Sequence, residues 1–247
     1  MESRYYKKTD LELLSTIESN SVDLVLTDPP YIISKASGMD TYKKHLNAGG
    51  EHTKHPDGSK NHLALNTEFG NWDKNFTIKD LEKSIDEFYR ILKPGGSCII
   101  FFDLWKIETL RNLLNKFSKH RIIEWVKTNP VPINQSATYL SNSREMAISC
   151  VKGGKATFNG KYDNGIYKFP IYAGKDRFHP TQKSLLLFEE LINKHSNKGD
   201  IVVDPYVGSG TTALASINTN RKYICGEPSD EYYQKGYDRC KLLDSPL

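Results

Sequence analysis

The amino-acid sequence predicts an α/β protein with a doubly wound, mainly parallel β-sheet. Short apolar segments typical of buried strands alternate along the chain with longer segments whose apolar residues recur at helical spacing. Two of the strand segments are followed by residues that suit a ligand-binding site. Asp28 and two prolines follow residues 22–27, and a Gly-x-Gly turn follows the strand that begins at Ile201. Ligands bind outside the carboxyl ends of strands in open sheets of this kind, so both segments are candidate sites.

Apolar patterning predicts the elements of the first half of the chain. The clearest helix begins at Thr77, a candidate N-cap with Asp80 three residues later, and its apolar stripe continues to Leu92. The full set comprises strands at 3–6, 22–27, 98–102 and 121–127, and helices at 10–17, 77–92 and 104–117.

The second half is less regular at first. Glycine and proline divide residues 129–174 into short pieces, of which 146–151 is strand-like. A helix through residues 185–192, the strand with its Gly-x-Gly turn, another helix and a strand ending at Glu227 then follow. We therefore expect one sheet domain formed by residues 1–128 and 176–247, with an inserted lobe at 129–175.

Composition excludes several classes of protein. The 247 residues are 38% hydrophobic with a mean hydropathy of -0.57, and no apolar run approaches the roughly 18 residues that span a bilayer. The first residues lack the apolar core of a signal peptide, so we expect a cytoplasmic protein. The four cysteines are widely spaced without a Cys-x-x-Cys pair, which indicates reduced thiols rather than a disulfide framework or zinc ribbon. A net charge of +4 permits a polyanionic partner.

Residues 33–71 are polar, rich in glycine and lysine, and too long for an ordinary connection. Four of the seven histidines fall here, which raises a metal hypothesis, yet His52 and His55 have no helix to align them and no cysteine partner. We therefore expect no metal. A mobile basic loop that becomes ordered on nucleic acid is the better interpretation.

Asp28 begins the segment Asp28-Pro29-Pro30-Tyr31, directly after a buried strand. Taken alone, an Asp-Pro pair is more often an ordinary turn in which the carboxylate caps local amides. A carboxylate, a rigid Pro-Pro and an aromatic ring held at a strand end also have the form of a binding site.

Gly208 and Gly210 lie between a strand and a helix, where glycine lets the backbone approach a ligand closely. Glu227 ends the next strand and is an acid suited to ribose hydroxyls, so the arrangement is typical of nucleotide-like ligands. No Gly-Lys-Ser/Thr follows, which excludes a Walker loop. On these residues alone, a nicotinamide-dependent oxidoreductase remains an alternative.

The region 129–175 interleaves cationic and aromatic side chains. On composition it is either a solvated insertion or a surface for phosphate contacts and base reading beside a nucleotide-handling sheet. The residues concerned are Tyr139, Arg144, Lys152, Lys155, Phe158, Lys161, Tyr162, Tyr167, Lys168 and Tyr172.

Three motifs taken in order closely resemble the beta class of S-adenosylmethionine-dependent DNA amino-methyltransferases. They are the segments 27–31 (Thr-Asp-Pro-Pro-Tyr), 179–183 (His-Pro-Thr-Gln-Lys) and 204–212 (Asp-Pro-Tyr-Val-Gly-Ser-Gly-Thr-Thr). The resemblance covers nearly the whole chain. It implies a seven-stranded Rossmann-like methyltransferase sheet with a circularly permuted motif order, in which 1–128 is the catalytic half, 129–175 the target-recognition region and 176–247 the cofactor half.

The resemblance also implies roles for individual residues. Asp28 and the Pro29 carbonyl would accept hydrogen bonds from the target amine, with Pro30 keeping the segment rigid and Tyr31 stacking on the flipped base. The residues implied around the cofactor are Asp10, Asp28, Thr181, Lys183, Asp204, Tyr206, Gly208, Ser209, Gly210, Thr211 and Glu227. Tyr206 stands where phenylalanine is commoner in the family, and Ser184 where proline is frequent.

The expected function is transfer of a methyl group from S-adenosylmethionine to the N6 amine of adenine in double-stranded DNA. That nitrogen is a poor nucleophile until acceptors fix its two hydrogens, which Asp28 and Pro29 can do without moving. Cytosine-N4 methylation uses the same geometry, and Asp rather than Ser before the two prolines favours adenine on the resemblance. A catalytically idle DNA-binding relative is a further alternative. Family members are often dimeric, and we expect a homodimer here.

Overall fold

A computed structural model describes residues 2–31, 76–130, 141–174, 177–179 and 182–244. These residues form one eight-stranded sheet with helices packed against it. Its strands are β1 (Arg4–Tyr6), β2 (Val22–Thr27), β3 (Leu92–Phe102), β4 (Ser118–Lys127), β5 (Arg144–Val151), β6 (Ile166–Phe169), β7 (Ile201–Asp204) and β8 (Lys222–Gly226). The helices are α1 (Asp10–Leu14), α2 (Ile78–Ile91), α3 (Ile107–Leu113), α4 (Leu185–His195), α5 (Thr211–Asn218) and α6 (Asp230–Asp244).

The sheet order is β1-β8-β7-β2-β3-β5-β4-β6. Only β5 among these strands runs antiparallel to its neighbours, whereas the other ladders are parallel. The prediction of an α/β fold with a mainly parallel, doubly wound sheet is therefore confirmed. Strands β7 and β8 come last in the sequence, but in the sheet they lie between β1 and β2. This is the permuted arrangement that the resemblance implies.

Apolar clusters among the described residues cover both faces of the sheet. Successive strand residues point to opposite faces, so Val25 of β2 packs with α1 and α2, whereas Leu24 and Leu26 pack with α4. All three side chains are fully buried, because helices cover β2 from both sides. The carboxyl end of β2, where Asp28 begins, is thus fixed by packing on both faces.

The α2 cap forms as predicted. Asp80 N donates to Thr77 Oγ1 at 3.3 Å, and the Asp80 carboxylate accepts from the Thr77 backbone at 3.2 Å, completing a capping box. Two other predicted helices are shorter than expected. The segment 10–17 is helical only at α1, and 104–117 contains a 3₁₀ turn, Leu104–Lys106, before α3.

The division of the chain into a sheet domain and an inserted lobe stays a prediction. In the part that the structure describes, the inserted region joins the main sheet. It contributes β5 to the middle of the main sheet and β6 to its edge, where Ile166–Phe169 pairs with residues 124–127 of β4. The sheet consequently has eight strands instead of the seven expected, because β6 extends it by one. The recognition role of 129–175 stays a prediction.

Several expectations fall wholly or partly outside the described residues. The loop 33–71, with His52 and His55, is among them. Within the described ranges, no group of three or more His, Cys, Asp or Glu side chains could hold a metal ion. In the same residues no helix is both long and apolar enough to cross a membrane. The four cysteines are buried free thiols.

Candidate active site

Asp28 follows the last residue of β2 and enters a buried cluster of charges. Its Oδ2 lies 2.8 Å from the Nζ of Lys183, and the side chains of Asp28 and Lys183 are 17% and 7% exposed. Its Oδ1 is also buried, but no hydrogen-bond donor among the described residues reaches it. A buried acceptor without a donor is costly, so this oxygen is a candidate contact for a ligand.

The Lys183 ammonium has three acceptors. Besides Asp28 it donates to Glu145 Oε2 at 2.6 Å and to the Tyr31 hydroxyl at 3.3 Å. Its Nζ lies 5.3 Å from the centre of the Tyr31 ring. Three N–H groups with three acceptors leave the ammonium little freedom, so it fixes both the carboxylate and the ring of the motif.

Glu145 joins Lys183 to a second cation. Its Oε1 lies 2.7 Å from the Nζ of Lys127, and both side chains are mostly buried. Lys127 ends β4 and Glu145 lies near the start of β5, which are antiparallel neighbours with Trp125 opposite Glu145. Asp28, Lys183, Glu145 and Lys127 thus form a row of alternating charge.

The pKa values in this row follow from burial and pairing. Burial raises the pKa of Asp28, Lys183 opposes the shift, and Glu145 adds to it. Burial also acts to raise the pKa of Glu145, but Lys183 and Lys127 outweigh it and lower that pKa to about 2. Burial acts to lower the pKa of Lys183, but Asp28 and Glu145 outweigh it and raise that pKa well above its usual value. Lys183 and Glu145 therefore stay charged at neutral pH.

Asp204, at the end of β7, is bound to the strand that carries Asp28. Its Oδ1 accepts from the Thr27 hydroxyl at 2.6 Å and from Tyr206 N at 3.0 Å, and its Oδ2 accepts from the Thr212 hydroxyl at 2.5 Å. Burial raises the pKa of Asp204 to about 6 despite these hydrogen bonds. Both carboxylate oxygens thus accept hydrogen bonds from the protein itself, and Asp204 acts by shaping the turn between β7 and α5.

The glycine turn between β7 and α5 needs its two glycines. Gly208 and Gly210 have φ of 50° and 80°, a region that residues with a Cβ rarely adopt. A Cβ at Gly208 would lie 3.1 Å from Nε2 of His179, so the imidazole forms a wall against the turn. The Ser209 hydroxyl lies 3.0 Å from that of Thr211.

Two carbonyl groups of this turn accept hydrogen bonds from β1 and α6. The Tyr5 hydroxyl donates to Gly208 O at 3.3 Å, and Arg239 donates to Ser209 O at 3.0 Å. Gly236 of α6 packs so closely that a Cβ there would strike the Tyr5 hydroxyl and lie 3.2 Å from Gly208 O. Strand β1 and helix α6 therefore fix the conformation of the turn.

Glu227 follows β8 on the same side as the glycine turn. Its carboxylate accepts from Ser229 N at 2.8 Å, and the Gly208 amide lies close enough to favour its charged form. Burial raises its pKa to about 7, although the two amide contacts act in the opposite direction. A buried carboxylate of this kind gains from a hydroxyl ligand that donates to it.

Tyr206 connects the same turn to α1 and α2. Its hydroxyl donates to Asp10 Oδ2 at 2.6 Å and lies 2.9 Å from the hydroxyl of Ser84, which donates to the same oxygen at 2.5 Å. A phenylalanine could not make these hydrogen bonds. The two predicted residues Asp10 and Tyr206 are therefore in direct contact.

The comparisons with known proteins agree with this geometry. The sequence profile of a family described as DNA methylase matches residues 22–238. The chain belongs to this family. The prediction of a DNA methyltransferase from the three motifs is therefore confirmed.

Individual DNA methylases cover nearly all of this chain. Type II methyltransferase M2.MboI of Moraxella bovis is 30% identical over 93% of this chain and 84% of its own length, and M.HinfI of Haemophilus influenzae is 30% identical over 94% and 67%. Among solved structures, M1.HpyAVI in complex with SAM is 27% identical, with a TM-score of 0.65 over 96% of this chain and 98% of that one. The PvuII DNA methyltransferase, titled cytosine-N4-specific, is 18% identical with a TM-score of 0.69 over 100% and 88%, which shows the shared fold alone.

The predicted residues of this methylase fall into three groups. Asp28, Tyr31 and Lys183 meet at the end of β2, and Asp10 meets Tyr206. Pro29 and Pro30 lie between Asp28 and Tyr31 in the described chain. The remaining residues line the glycine turn and the strand ends beside it: Asp204, Gly208, Ser209, Gly210, Thr211 and Glu227. Thr181 lies outside the described residues. The roles of all these residues stay predictions.

Sequence reasoning missed six residues that support the candidate site: Lys127, Glu145, Tyr5, Ser84, Gly236 and Arg239. Glu145 had a weak signal, because it is an acid directly before the mostly apolar segment 146–151. The others lie on elements far in sequence from the motifs that they support.

Proposed function

We propose that the chain transfers the methyl group of S-adenosylmethionine to the N6 amine of adenine in double-stranded DNA. The buried Oδ1 of Asp28, which has no donor among the described residues, is the observation that carries this proposal. An exocyclic amine supplies the donor that this oxygen lacks. Membership of the DNA methylase family makes a nucleobase amine the natural choice.

The residues around the glycine turn fit S-adenosylmethionine. The two glycines with positive φ let the backbone approach a ligand, and the buried Glu227 suits ribose hydroxyls. Asp10 is held in one orientation by Tyr206 and Ser84, as an acceptor for the adenine of the cofactor must be. The related M1.HpyAVI was solved as a SAM complex. When bound, the cofactor supplies an electrophilic methyl group on a cationic sulfur.

Asp28 and Pro29 would prepare the target amine. Asp28 Oδ1 would accept one N–H and the Pro29 carbonyl the other, which directs the nitrogen lone pair away from the base ring. The bound cofactor would supply the methyl group and leave as a neutral thioether, and the proton that the nitrogen then loses would pass to the Asp28 carboxylate. Burial raises the pKa of Asp28, so its carboxylate is a strong acceptor for that N–H.

Tyr31 would form the wall against which the base stacks. Its ring meets Phe102 edge to face at 6.0 Å between centroids, and its hydroxyl accepts from Lys183, so the ring is held in place. A base inside a duplex cannot reach Asp28 and must be flipped out at a cost of a few kcal/mol. Stacking on a fixed ring offsets part of that cost.

The fold does not separate adenine from cytosine as the target, since the cytosine-N4-specific PvuII methyltransferase shares it. Asp28 before the two prolines favours adenine. The deciding experiment incubates the chain with unmethylated plasmid DNA and S-adenosylmethionine and analyses the nucleosides by mass spectrometry. We expect N6-methyladenine; N4-methylcytosine in its place would reject the choice of base.

A catalytically idle DNA-binding relative is disfavoured because both the Asp28 cluster and the glycine turn are intact. Transfer of labelled methyl groups to DNA distinguishes the two. We expect Asp28→Ala to abolish transfer with little change in thermal stability. DNA binding by the unmodified chain without any transfer would instead support the idle relative.

We further propose that residues 129–175 and 33–71 contact the DNA, that the chain acts as a homodimer, and that it works on DNA in the cytoplasm. The interleaved cations and aromatic rings of the first segment and the lysines of the second support the DNA contacts. Light scattering coupled to gel filtration tests the dimer. Single-molecule sequencing of DNA from expressing cells identifies the methylated base and its sequence together.

A further inference from the structure

The two oxygens of the Asp28 carboxylate have different surroundings. Oδ2 lies 2.8 Å from Lys183, whereas Oδ1 is buried with no donor among the described residues. A lysine beside a carboxylate can slide between its two oxygens, because the ammonium is a compact charge on a flexible stem. Something must therefore keep Lys183 on Oδ2 if Oδ1 is to remain available.

Glu145 is the group that can do this. It accepts from Lys183 at 2.6 Å, a shorter contact than the one to Asp28, and so draws the ammonium toward β5. The Tyr31 hydroxyl takes a third N–H at 3.3 Å. A shift of Lys183 toward Oδ1 would have to stretch or break the charged contact with Glu145, which is strong in a buried site.

Glu145 is itself held on the opposite side. Its other oxygen lies 2.7 Å from Lys127, whose side chain is 13% exposed. Both residues lie on paired strands of the main sheet, and β5 is paired with β3 on its other edge. The carboxylate is thus fixed between two cations on a rigid part of the fold.

We propose that Glu145 is a positioning residue for methyl transfer, which keeps Lys183 on one oxygen of Asp28 and so leaves the other oxygen for the target amine. The proposal rests on the proposed function, in which Asp28 accepts from that amine. Glu145 acts through Lys183 and has no contact with the reacting atoms. Lys127 supports it from the end of β4.

The test compares Glu145→Gln with Glu124→Gln. Glu124 is a matched control, because it is a partly buried glutamate on the neighbouring strand whose partner is Arg144 at 3.2 Å instead of Lys183. Single-turnover methyl transfer, the Kd for S-adenosylmethionine and the thermal transition are measured for both variants. We expect Glu145→Gln to slow transfer between about 10- and 100-fold, as small misplacements of reacting groups do. The control should match the unmodified chain.

The pH profile separates positioning from a general structural role. The negative charge of Glu145 raises the pKa of Asp28, so its removal should lower that pKa and move the acid limb of the transfer rate to lower pH. The same rate and the same acid limb in Glu145→Gln and the unmodified chain would overturn the proposal.

Two further variants keep the outcome decisive. If Glu145→Gln loses its thermal transition, Glu145→Asp is tested in its place. This variant retains the negative charge but shortens the reach to Lys183, so we expect slower methyl transfer with an unchanged acid limb of the pH profile. An unchanged transfer rate would contradict the proposal. Asp28→Ala is measured in parallel. Activity retained by Asp28→Ala would reject the proposed function itself, whereas an inactive Asp28→Ala beside an unaffected Glu145→Gln would reject only the role of Glu145.

Discussion

Thr27 donates its hydroxyl to Asp204 at 2.6 Å, joining two residues that are 177 positions apart in the sequence. Thr27 ends β2 directly before Asp28, and Asp204 ends β7 directly before the glycine turn. Both groups are fully or almost fully buried. This hydrogen bond, together with the direct pairing of β2 with β7, therefore sets the spacing between the residue proposed to hold the target amine and the turn proposed to hold the cofactor.

Replacing this hydroxyl should weaken both the fold and the cofactor site. Thr27→Val keeps the shape of the side chain but leaves Asp204 without one donor, and we expect a loss of about 1–3 kcal/mol in the free energy of unfolding. Urea denaturation measures the loss, and calorimetry should show weaker binding of S-adenosylmethionine. Thr27→Ser, which keeps the hydroxyl, is the control and should bind the cofactor more tightly than Thr27→Val.

Glu227 should make the stability of the cofactor-free protein fall as the pH rises. Burial raises the pKa of Glu227 in the fold to about 7 from an ordinary value of 4.5, so the folded state binds the proton more tightly than the unfolded state. The folded state therefore loses stability from this group between about pH 4.5 and 7, by up to roughly 3 kcal/mol.

Glu227→Gln removes that titration. We expect the variant to match the unmodified protein at pH 4.5 and to melt at a higher temperature at pH 8, while binding S-adenosylmethionine more weakly. The difference between the two melting curves isolates Glu227 from Asp204, whose pKa of about 6 acts in the same direction. A constant difference at all pH values would show that Glu227 titrates normally.

Gly236→Ala should disturb the glycine turn through the packing of α6 against it. The added Cβ would strike the Tyr5 hydroxyl and lie 3.2 Å from Gly208 O. We expect a destabilisation of about 1–3 kcal/mol, typical of overpacking, together with weaker cofactor binding. Adding Tyr5→Phe removes the atom that is struck and should restore part of the stability. A double variant less stable than Gly236→Ala would argue against this contact.

Tyr206→Phe tests how Asp10 is held. The variant keeps the ring against Phe76 but loses the hydrogen bond to Asp10 at 2.6 Å. We expect binding of S-adenosylmethionine to weaken several-fold, in line with about 1 kcal/mol for one hydrogen bond. In an Asp10→Asn background the same change should have a smaller effect. Equal losses in both backgrounds would mean that Tyr206 acts independently of Asp10.

Tyr31 should be replaceable only by another ring. We expect Tyr31→Ala to impair capture of the flipped base, whereas Tyr31→Phe and Tyr31→Trp retain most of the activity, because stacking needs an aromatic face. Fluorescence of 2-aminopurine at the target position reports capture separately from chemistry. Stacking would be the wrong explanation if alanine and phenylalanine gave the same signal and the same rate.

Sequence reasoning correctly predicted the structural features that depend on neighbouring residues. The strand before Asp28, the cap at Thr77 and the turn at Gly208 and Gly210 are read from neighbouring residues, and the structure has all of them. These features depend on spacing along one segment, which the sequence displays directly.

Sequence reasoning failed where contacts between side chains depend on how distant segments pair or pack. The contact of Glu145 with Lys127 exists only because β4 and β5 pair with Trp125 opposite Glu145. Similarly, Gly236 and Tyr5 meet through the packing of α6 against β1. The eighth strand was missed because four residues, Ile166–Phe169, are too few to show a period.

The position of β2 in the sheet has a consequence for the synthesis of the chain. Its pairing partner on one side is β7, which is made long after β2 itself, and β1 likewise waits for β8. Until residues 201–226 leave the ribosome, β2 has an unpaired apolar edge that must be kept from aggregation. Asp28 reaches its final surroundings only when Lys183 and Asp204 have also been made. A nascent chain therefore cannot modify DNA before most of it has been translated.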